Sequence, residues 1–170
     1  VAARLNSGVS SHGYNPISVT TNIRKANRDD CVEIAACLSA LGYGTSVELV
    51  TDRMAQFASS GIDAVFVAEQ TPEGPLLGVA SAHALPLFHA PGQLVRLTAL
   101  AIRDEAKGRG VGRDLVAAVE AWAWQLGAAR VEVTSGDHRP GAHAFYQAIG
   151  YALDERRFIK RAPEASICGS

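Results

Sequence analysis

The sequence predicts one α/β or α+β domain built around a mixed β-sheet. Three observations support this prediction. Strand-like and helix-like segments follow the order β-α-α-β-β-β-α-β-α-β, a glycine-rich loop joins an apolar strand to an amphipathic helix, and 48% of the 170 residues are hydrophobic. A chain of this length can bury one substantial core. We expect a flexible leader at residues 1–17, a single domain at 18–161 and a C-terminal tail at 162–170.

The first half of the chain is predicted to contain a strand, two helices and a hairpin. Cap residues at 27–30 precede the first helix, and Gly42 and Gly44 separate it from the second. The turn Thr71–Gly74 separates two short apolar runs, which indicates a β-hairpin. In order, these elements are a strand at 19–25, a helix after residue 30, a helix from about residue 45 to Gly61, and strands at 64–69 and 76–84.

The second half repeats a strand-then-helix pattern. Residues 94–102 form an apolar run of the length expected for a buried strand, and the helix after it ends before Gly127. Pro140 is placed to open the last helix, and Gly150 closes it. The remaining elements are a strand at 130–134 and a final strand or pair at 151–153 and 157–160.

The loop Lys107–Arg113 connects the strand at 94–102 to the following helix. Its alternate glycines leave peptide N–H groups unobstructed by a Cβ, and the first helical turn adds unpaired donors and the positive end of the helix dipole. A phosphate or pyrophosphate is the natural ligand of such a turn. The residues expected to bind it are Lys107, Gly108, Arg109, Gly110, Val111, Gly112 and Arg113.

Two common phosphate-binding motifs do not fit this loop. A Walker loop requires Lys-Ser or Lys-Thr after its last glycine, which is missing here, and the dinucleotide fingerprint requires Gly-x-Gly-x-x-Gly, which fails by one residue. An alternative interpretation is that these glycines form a tight turn that binds no ligand. The basic residues interleaved with the glycines favour an anion.

The composition excludes several classes of protein. With 16 Lys and Arg against 17 Asp and Glu, the net charge of −1 gives no support to a nucleic-acid or anionic-membrane partner. Cys31, Cys37 and Cys168 lack the spacing of a disulfide framework or a zinc site, and the five histidines lack metal-binding spacing. No apolar run approaches membrane-spanning length, and residues 1–18 do not resemble a signal peptide. We expect a soluble, cytoplasmic protein without a metal.

Two separated motifs, together with the order of elements, resemble the GCN5-related N-acetyltransferase (GNAT) superfamily. In its pattern Gln/Arg-x-x-Gly-x-Gly/Ala, Lys107 takes the first place, and Gly110 and Gly112 match. The second motif is the pair Phe145-Tyr146, followed by the step Gly150-Tyr151. The resemblance covers residues 19–161 and implies a mostly antiparallel central sheet flanked by helices.

The resemblance implies acetyl-CoA as the co-substrate. Its pyrophosphate would bind at 108–113, and its pantetheine arm would pair like an extra strand with Leu100, Ala101 and Ile102. A bulge or splay between the strands at 94–102 and 130–134 would supply that edge. Arg139 is expected to reach a CoA phosphate.

Tyr146 matches the family tyrosine, which implies that its phenol gives a proton to the leaving thiolate. The alternative is that Tyr146 only packs against Phe145. A backbone N–H near Leu100 would bind the carbonyl oxygen of the thioester.

The general base is not assigned by the sequence. Many relatives have a glutamate on the strand before the glycine loop, where this chain has Thr98, which could only position a water. Glu132 on the next strand is the nearest carboxylate, and an ion-paired or outward-facing role is open for it. Arg96 shares a strand face with Thr98 and is expected either to be solvated or to meet an acidic group of the substrate.

The resemblance implies transfer of an acetyl group to a primary amine, without naming the acceptor. A small-molecule amine and a protein amine are both open, and the acceptor pocket would be lined by residues 38–48 and 85–93. Trp124 lies opposite the apolar stripe of its helix and would be a lone exposed aromatic or a contact in a homodimer. Two alternatives remain, a catalytically inactive acyl-CoA-binding or interaction module and a phosphate-binding fold unrelated to thioesters.

Overall fold

A computed structural model describes residues 21–40, 42, 44–72, 74–136, 138–154 and 158–160. The chain divides into two units, residues 1–133 and 134–170. The first unit contains a five-stranded sheet with its strands in the order β1-β2-β3-β4-β5. Its strands are β1 (Asn22–Lys25), β2 (Asp63–Glu69), β3 (Leu76–Pro86), β4 (Gln93–Ile102) and β5 (Ala128–Val133).

Neighbouring strands pair antiparallel from β1 to β4, and β5 pairs parallel with β4. The predicted mixed, mostly antiparallel sheet is therefore confirmed. The predicted hairpin is also present, because β2 and β3 pair along nearly their whole length.

Three helix starts have a recognisable signal, and the first of them is a short 3-10 turn at Arg28–Asp30 that leads into the first helix. The side chain of Asn27 accepts from the Asp29 N–H, Asp30 accepts from the Asn27 N–H in return, and Ser46 accepts from the Leu49 N–H. Pro140 opens the last helix, where its missing N–H costs nothing. The helices are α1 (Cys31–Ser39), α2 (Val47–Ala58) and α3 (Val111–Gln125) in the first unit and α4 (Pro140–Ala148) in the second.

Helices cover both faces of the sheet. On one face, α1 and α2 pack on a buried cluster that includes Val67 of β2, Val79 of β3 and Ala101 of β4. On the other face, α3 lies against the alternate residues of β3, and a side chain at Gly78 would meet Leu115 of α3. From Gly78 onward, residues of β3 therefore alternate between the two faces, odd-numbered residues toward α1 and α2 and even-numbered residues toward α3, whereas Leu76 at the start of the strand belongs to the α1–α2 cluster.

Gly78 permits a close approach of these layers. A Cβ atom at this position would lie 2.7 Å from the Ala101 carbonyl oxygen and 3.2 Å from Leu115 Cδ1. The neighbouring residues on this face, Ala80 and Ala82, are small and buried. The backbone of β3 at Gly78 therefore lies close to the Ala101 carbonyl of β4 and to the Leu115 side chain of α3.

A buried ion-pair network joins the first strand to the first helix. Arg24 donates to both carboxylate oxygens of Asp30 at 2.8 Å and to Glu69 at 3.0 Å. Asp30 and Glu69 are 7% and 3% exposed, so each buried carboxylate has a cationic partner. These hydrogen bonds from Arg24 hold the pKa of Asp30 below its usual range.

Some boundaries differ from the sequence prediction. The strand β5 begins two residues earlier than expected and ends at Val133, because the turn after α3 is complete at Gly127. Residues 19 and 20 of the predicted first strand lie outside the described residues. Cys31 and Cys37 are buried free thiols, whereas Cys168 lies outside the described residues.

The predicted final strand is not found in residues 151–154 and 158–160, and residues 155–157 lie outside the described residues. The side chains of Leu153 and Phe158 are 89% and 92% exposed, so these positions lack the buried face that strand pairing would give them. Among the described residues, no helix combines the length and apolar character needed to cross a bilayer.

Candidate active site

The pairing between β4 and β5 ends halfway along β4. Its last pair is Leu97 with Val133, so residues 98–102 have no partner from β5. The predicted separation of these two strands is therefore present. Because the Arg103 N–H bonds to the Leu77 carbonyl, the alternating antiparallel pattern directs the backbone groups of Leu100 and Ile102 away from β3.

A β-bulge lies at Thr98, on the β3 side of β4. Ser81 pairs with Ala99 and Ala82 pairs with Leu97, which leaves Thr98 as the extra residue. The Thr98 hydroxyl donates to the Ser81 carbonyl at 3.0 Å. The hydroxyl oxygens of Ser81 and Thr98 are 2.7 Å apart. The bulge next to the end of the β4–β5 pairing thus lies between β3 and β4, and the register irregularity between β4 and β5 lies at the other end of β4, at Gln93 and Leu94.

The glycine loop turns the chain from β4 into α3. Gly108 and Gly110 have φ values of +74° and +86°, in the left-handed region that favours glycine. The Asp114 N–H bonds to the Gly110 carbonyl as the first bond of the helix, so the N–H groups of residues 111–113 have no partner within it. A Cβ at Gly108 or Gly110 would meet nothing within 4 Å. The loop therefore presents backbone donors to open space.

The basic side chains of the loop are exposed, and two of them have neighbouring partners. Lys107 Nζ pairs with Asp104, and Arg109 Nη1 donates to the Glu105 carbonyl at 3.4 Å. Arg113 lies on the exposed side of the first turn of α3. The loop thus combines three cationic side chains with the backbone donors.

An ion pair fixes the residue that leads into the loop. Arg103 Nη2 lies 2.7 Å from Glu33 Oε2, and the same oxygen accepts from the Leu76 N–H at 3.2 Å. Glu33 of α1 therefore links the start of β3 to the end of β4. This contact holds the first residue after β4 in place.

Glu132 is an ion-paired residue of β5. It accepts from Arg96 at 2.8 Å and from Arg130 at 2.7 Å. These hydrogen bonds, the one from Arg96 first, keep the pKa of Glu132 below its usual range. The ion-paired alternative for Glu132 is thus confirmed, and Arg96 is partly solvated, with a side chain 40% exposed, as well as paired with Glu132, because β4 and β5 bring the two residues into register.

A further polar pair was missed by the sequence analysis. His83 Nδ1 lies 2.6 Å from Asp63 Oδ1, and the Ser60 hydroxyl donates to Asp63 Oδ2 at 2.6 Å. A row of four polar residues crosses the sheet from β2 to β5. Each is the register partner of the next, in the order Asp63, His83, Arg96 and Glu132. The signal that could have found them is the hairpin register, which places Asp63 opposite His83.

Tyr146 belongs to the second unit, on α4. Its ring makes edge contacts with Phe145 and Tyr151, with centroids 5.1 and 5.6 Å away. Burial raises the pKa of its hydroxyl, so the phenol stays protonated at neutral pH. Arg139 directly precedes the same helix.

The two segments expected to line an acceptor pocket belong to the first unit. The α1–α2 connection forms an open depression of about 500 Å³. It is lined by Ser39, Gly42, Gly44, Thr45 and Ser46. In the β3–β4 loop, the side chain of Phe88 is fully exposed, as is typical of a surface loop. Within the described part of the chain, no three His, Cys, Asp or Glu residues group as a metal site would need.

Structural similarity extends over most of the chain. An aminoglycoside acetyltransferase, AAC(6')-Iy in complex with a bisubstrate analogue of CoA, matches with a TM-score of 0.74 and 20% identity, covering 85% of this chain and 99% of that one. An aminoglycoside acetyltransferase from an uncultured soil metagenomic sample, in complex with sisomicin, matches with a TM-score of 0.72 and 16% identity, covering 85% and 97%. A protein from Bacillus halodurans described as a transcriptional regulator gives a TM-score of 0.75 at 17% identity, covering 84% and 100%. At these identities the likeness shows the fold alone.

A family model gives the assignment that the fold alone does not. No curated protein matches the chain. The model of the acetyltransferase (GNAT) family matches residues 34–151, which begin within α1 and include the whole glycine loop and α4. The chain therefore belongs to the GNAT acetyltransferase family.

Proposed function

We propose that this protein transfers an acetyl group from acetyl-CoA to a primary amine. The observation that carries the proposal is the turn at residues 108–113, where backbone donors face open space beside the unpaired edge of β4. A diphosphate and an extended amide-containing chain need these two features side by side. CoA contains both groups.

The loop suits a pyrophosphate because it has backbone N–H donors and because the space beside Gly110 is open. The N–H groups of residues 111–113 lie at the positive end of the α3 dipole, and Lys107, Arg109 and Arg113 add positive charge. Because a Cβ at Gly110 would point into open space, a glycine there leaves room for the anion. The backbone groups of Leu100 and Ile102 would pair with the pantetheine arm, while Ala101 stays paired with Val79 of β3.

The reaction requires three tasks from the protein. An alkyl amine has an ordinary pKa of about 10.4, so the acceptor must lose a proton before it attacks the thioester carbonyl. The Leu100 N–H would bind the carbonyl oxygen as negative charge develops on it. We assign the acid that protonates the departing thiolate to Tyr146, since it matches the family tyrosine and burial keeps its phenol protonated. Arg139 would bind a phosphate of CoA.

The acceptor we favour is a small molecule that carries several amines. Two of the structural neighbours are named as aminoglycoside acetyltransferases, which supports this class without extending their activity to this chain. The depression lined by Ser39 and Ser46 offers hydroxyl groups that can accept hydrogen bonds from amines. A peptide amine is the competing acceptor.

Two measurements test the proposal. Acetyl-CoA at about 100 times its Kd should raise the melting temperature by about 5–10 °C. Release of free thiol should then depend on an added amine, tested with neamine, sisomicin, spermidine and a lysine-containing peptide. An inactive acyl-CoA-binding module would show the thermal shift without thiol release. A phosphate-binding fold unrelated to thioesters would show no shift with acetyl-CoA.

A further inference from the structure

We propose that His83 is the general base of this reaction and that Asp63 is its positioning residue. The inference rests on the proposed acetyl transfer, since it names the group that takes the proton from the acceptor amine. The observations that support it come from residues of the first unit.

The position of His83 follows from the path along β4. From the glycine loop, the unpaired edge runs from Ile102 through Leu100 to the bulge at Thr98, where pairing with β5 begins. A CoA molecule that binds the loop with its diphosphate and follows this edge would bring its thioester toward the bulge. The next residue pair beyond the bulge, on the face that carries Ser81, is His83 with Arg96.

The polar side chains near the bulge differ in their ability to accept a proton. The hydroxyls of Ser81 and Thr98 are bonded to each other and are too weakly basic at neutral pH. Arg96 is permanently charged. Glu132 is held as a carboxylate by two arginines, and its lowered pKa makes it a weak base. Compared with these four side chains, the imidazole of His83 is the group whose type ordinarily accepts protons in the neutral range.

The contacts of His83 give its ring the orientation that a base needs. Asp63 accepts from Nδ1, so in the neutral ring the proton lies on Nδ1 and the lone pair lies on Nε2. Among the described residues, Nε2 has no hydrogen-bond partner. The Ser60 hydroxyl fixes the other oxygen of Asp63, whose side chain is only 10% exposed, so the carboxylate is rigidly placed. The His83 side chain is 34% exposed and can pass its proton to solvent.

The distance from His83 to the bulge suits an acceptor amine. Side chains two residues apart on one strand face are separated by about 7 Å, which is the spacing of His83 from Ser81. Because the outer edge of β4 lies on the side away from β3, about 5 Å further for each strand crossed, the acceptor and bridging water would extend across β4 from the imidazole to the thioester. The acceptor nitrogen would then lie between the imidazole and the thioester carbonyl.

The proton transfers balance as follows. His83 Nε2 takes one proton from the acceptor ammonium, and the freed lone pair forms the N–C bond to the thioester carbonyl carbon. The C–S bond breaks, and the sulfur leaves with the electron pair. Tyr146 gives its phenolic proton to the sulfur, the second proton of the acceptor nitrogen leaves to solvent water, and the Tyr146 phenolate takes a proton back from solvent. The proton on His83 goes to solvent, so the products are the amide, free CoA and one released proton.

The charged groups that face His83 come from its two neighbouring strands. Asp63 lies beside the ring on β2 and Arg96 lies beside it on β4, with Glu132 beyond Arg96. On α1, which also packs against β3, Glu33 is engaged with Arg103 at the other end of the strand. The helix α3 packs on the opposite face.

The test compares His83→Ala and His83→Gln with the wild type, using acetyl-CoA and the amine of the panel that gives the fastest thiol release. We expect kcat to fall by about 10²–10⁴-fold in both variants, with unchanged acetyl-CoA affinity. Added imidazole should restore part of the activity of His83→Ala. The matched control is His138→Ala, an exposed histidine outside the segments assigned to the acceptor, which should keep full activity.

Asp63→Asn tests the positioning role. We expect lower kcat with an altered acid limb of the pH profile, unchanged KM for acetyl-CoA, and no restoration by imidazole, because the ring is still present. Full turnover in a folded His83→Gln protein would overturn the inference while leaving acetyl transfer intact. A wild-type protein that releases no thiol with any amine would instead refute the proposed function, and this inference with it.

Discussion

Replacing Gly110 with valine tests the backbone anion site most directly. At φ +86° a β-branched residue costs about 1–2 kcal/mol of backbone strain, which should lower the melting temperature by about 2–8 °C. The protein should still fold, because a Cβ there meets no atom within 4 Å. Its branched side chain would instead occupy the space in front of the donors at 111–113.

The loss of affinity can be worked from those donors. A hydrogen bond to a charged group contributes about 1.5–3 kcal/mol, so blocking two of them should weaken acetyl-CoA binding by about 3–6 kcal/mol, or 10²–10⁴-fold. Isothermal titration calorimetry measures this difference directly. Gly127→Val is the matched control, since Gly127 also has positive φ and open space but lies at the other end of α3. It should lose similar stability and keep full affinity. Equal affinity of wild type and Gly110→Val would refute the reasoning.

Three further predictions concern single side chains. Tyr146→Phe should lower kcat by about 10²–10⁴-fold with unchanged acetyl-CoA affinity, and steady-state kinetics that show full turnover would indicate packing alone. Glu33→Gln should remove about 1 kcal/mol of stability from the contact with Arg103, seen as a lower melting temperature, whereas an unchanged melt would contradict that contribution. The pair of Arg24 with Asp30 lowers the carboxyl pKa in the folded state, so its stabilisation is present above about pH 4 and is lost as pH falls through the folded value. Urea denaturation from pH 7 to 3 should therefore show the difference between wild type and Asp30→Asn shrinking with acid, and a constant difference would argue against the pair.

The sequence was sufficient to predict the order of the elements up to α4 and the glycine loop. Apolar periodicity and the glycines at 108 and 110 are local signals, so they predict a strand, a turn and a helix without knowledge of the rest of the chain. The boundaries of β5 were off by one or two residues because strand ends depend on the partner strand. The predicted final strand has no partner strand among the described residues, and its apolar residues Leu153 and Phe158 are exposed in the structure.

The side-chain pairs of the candidate site could not be predicted in the same way. Whether Glu132 faces Arg96 or solvent depends on the β4–β5 register, and the bulge at Thr98 shifts the β3–β4 register by one residue. The pair of His83 with Asp63 likewise requires the hairpin alignment. Residue spacing within a single strand does not contain this information.

Because Gly78 has no side chain, β3 can lie close to both β4 and α3. Because the backbone of β3 approaches Leu115 of α3 so closely, the beginning of that helix is held at a fixed height above the sheet. Even a methyl group at position 78 would lie 2.7 Å from the Ala101 carbonyl oxygen of β4 and 3.2 Å from Leu115 Cδ1 of α3, so both neighbours would have to move. In the proposed function, the diphosphate and the pantetheine arm of CoA would then meet the loop and the edge of β4 in an altered relative position, although no residue that contacts either group had been changed.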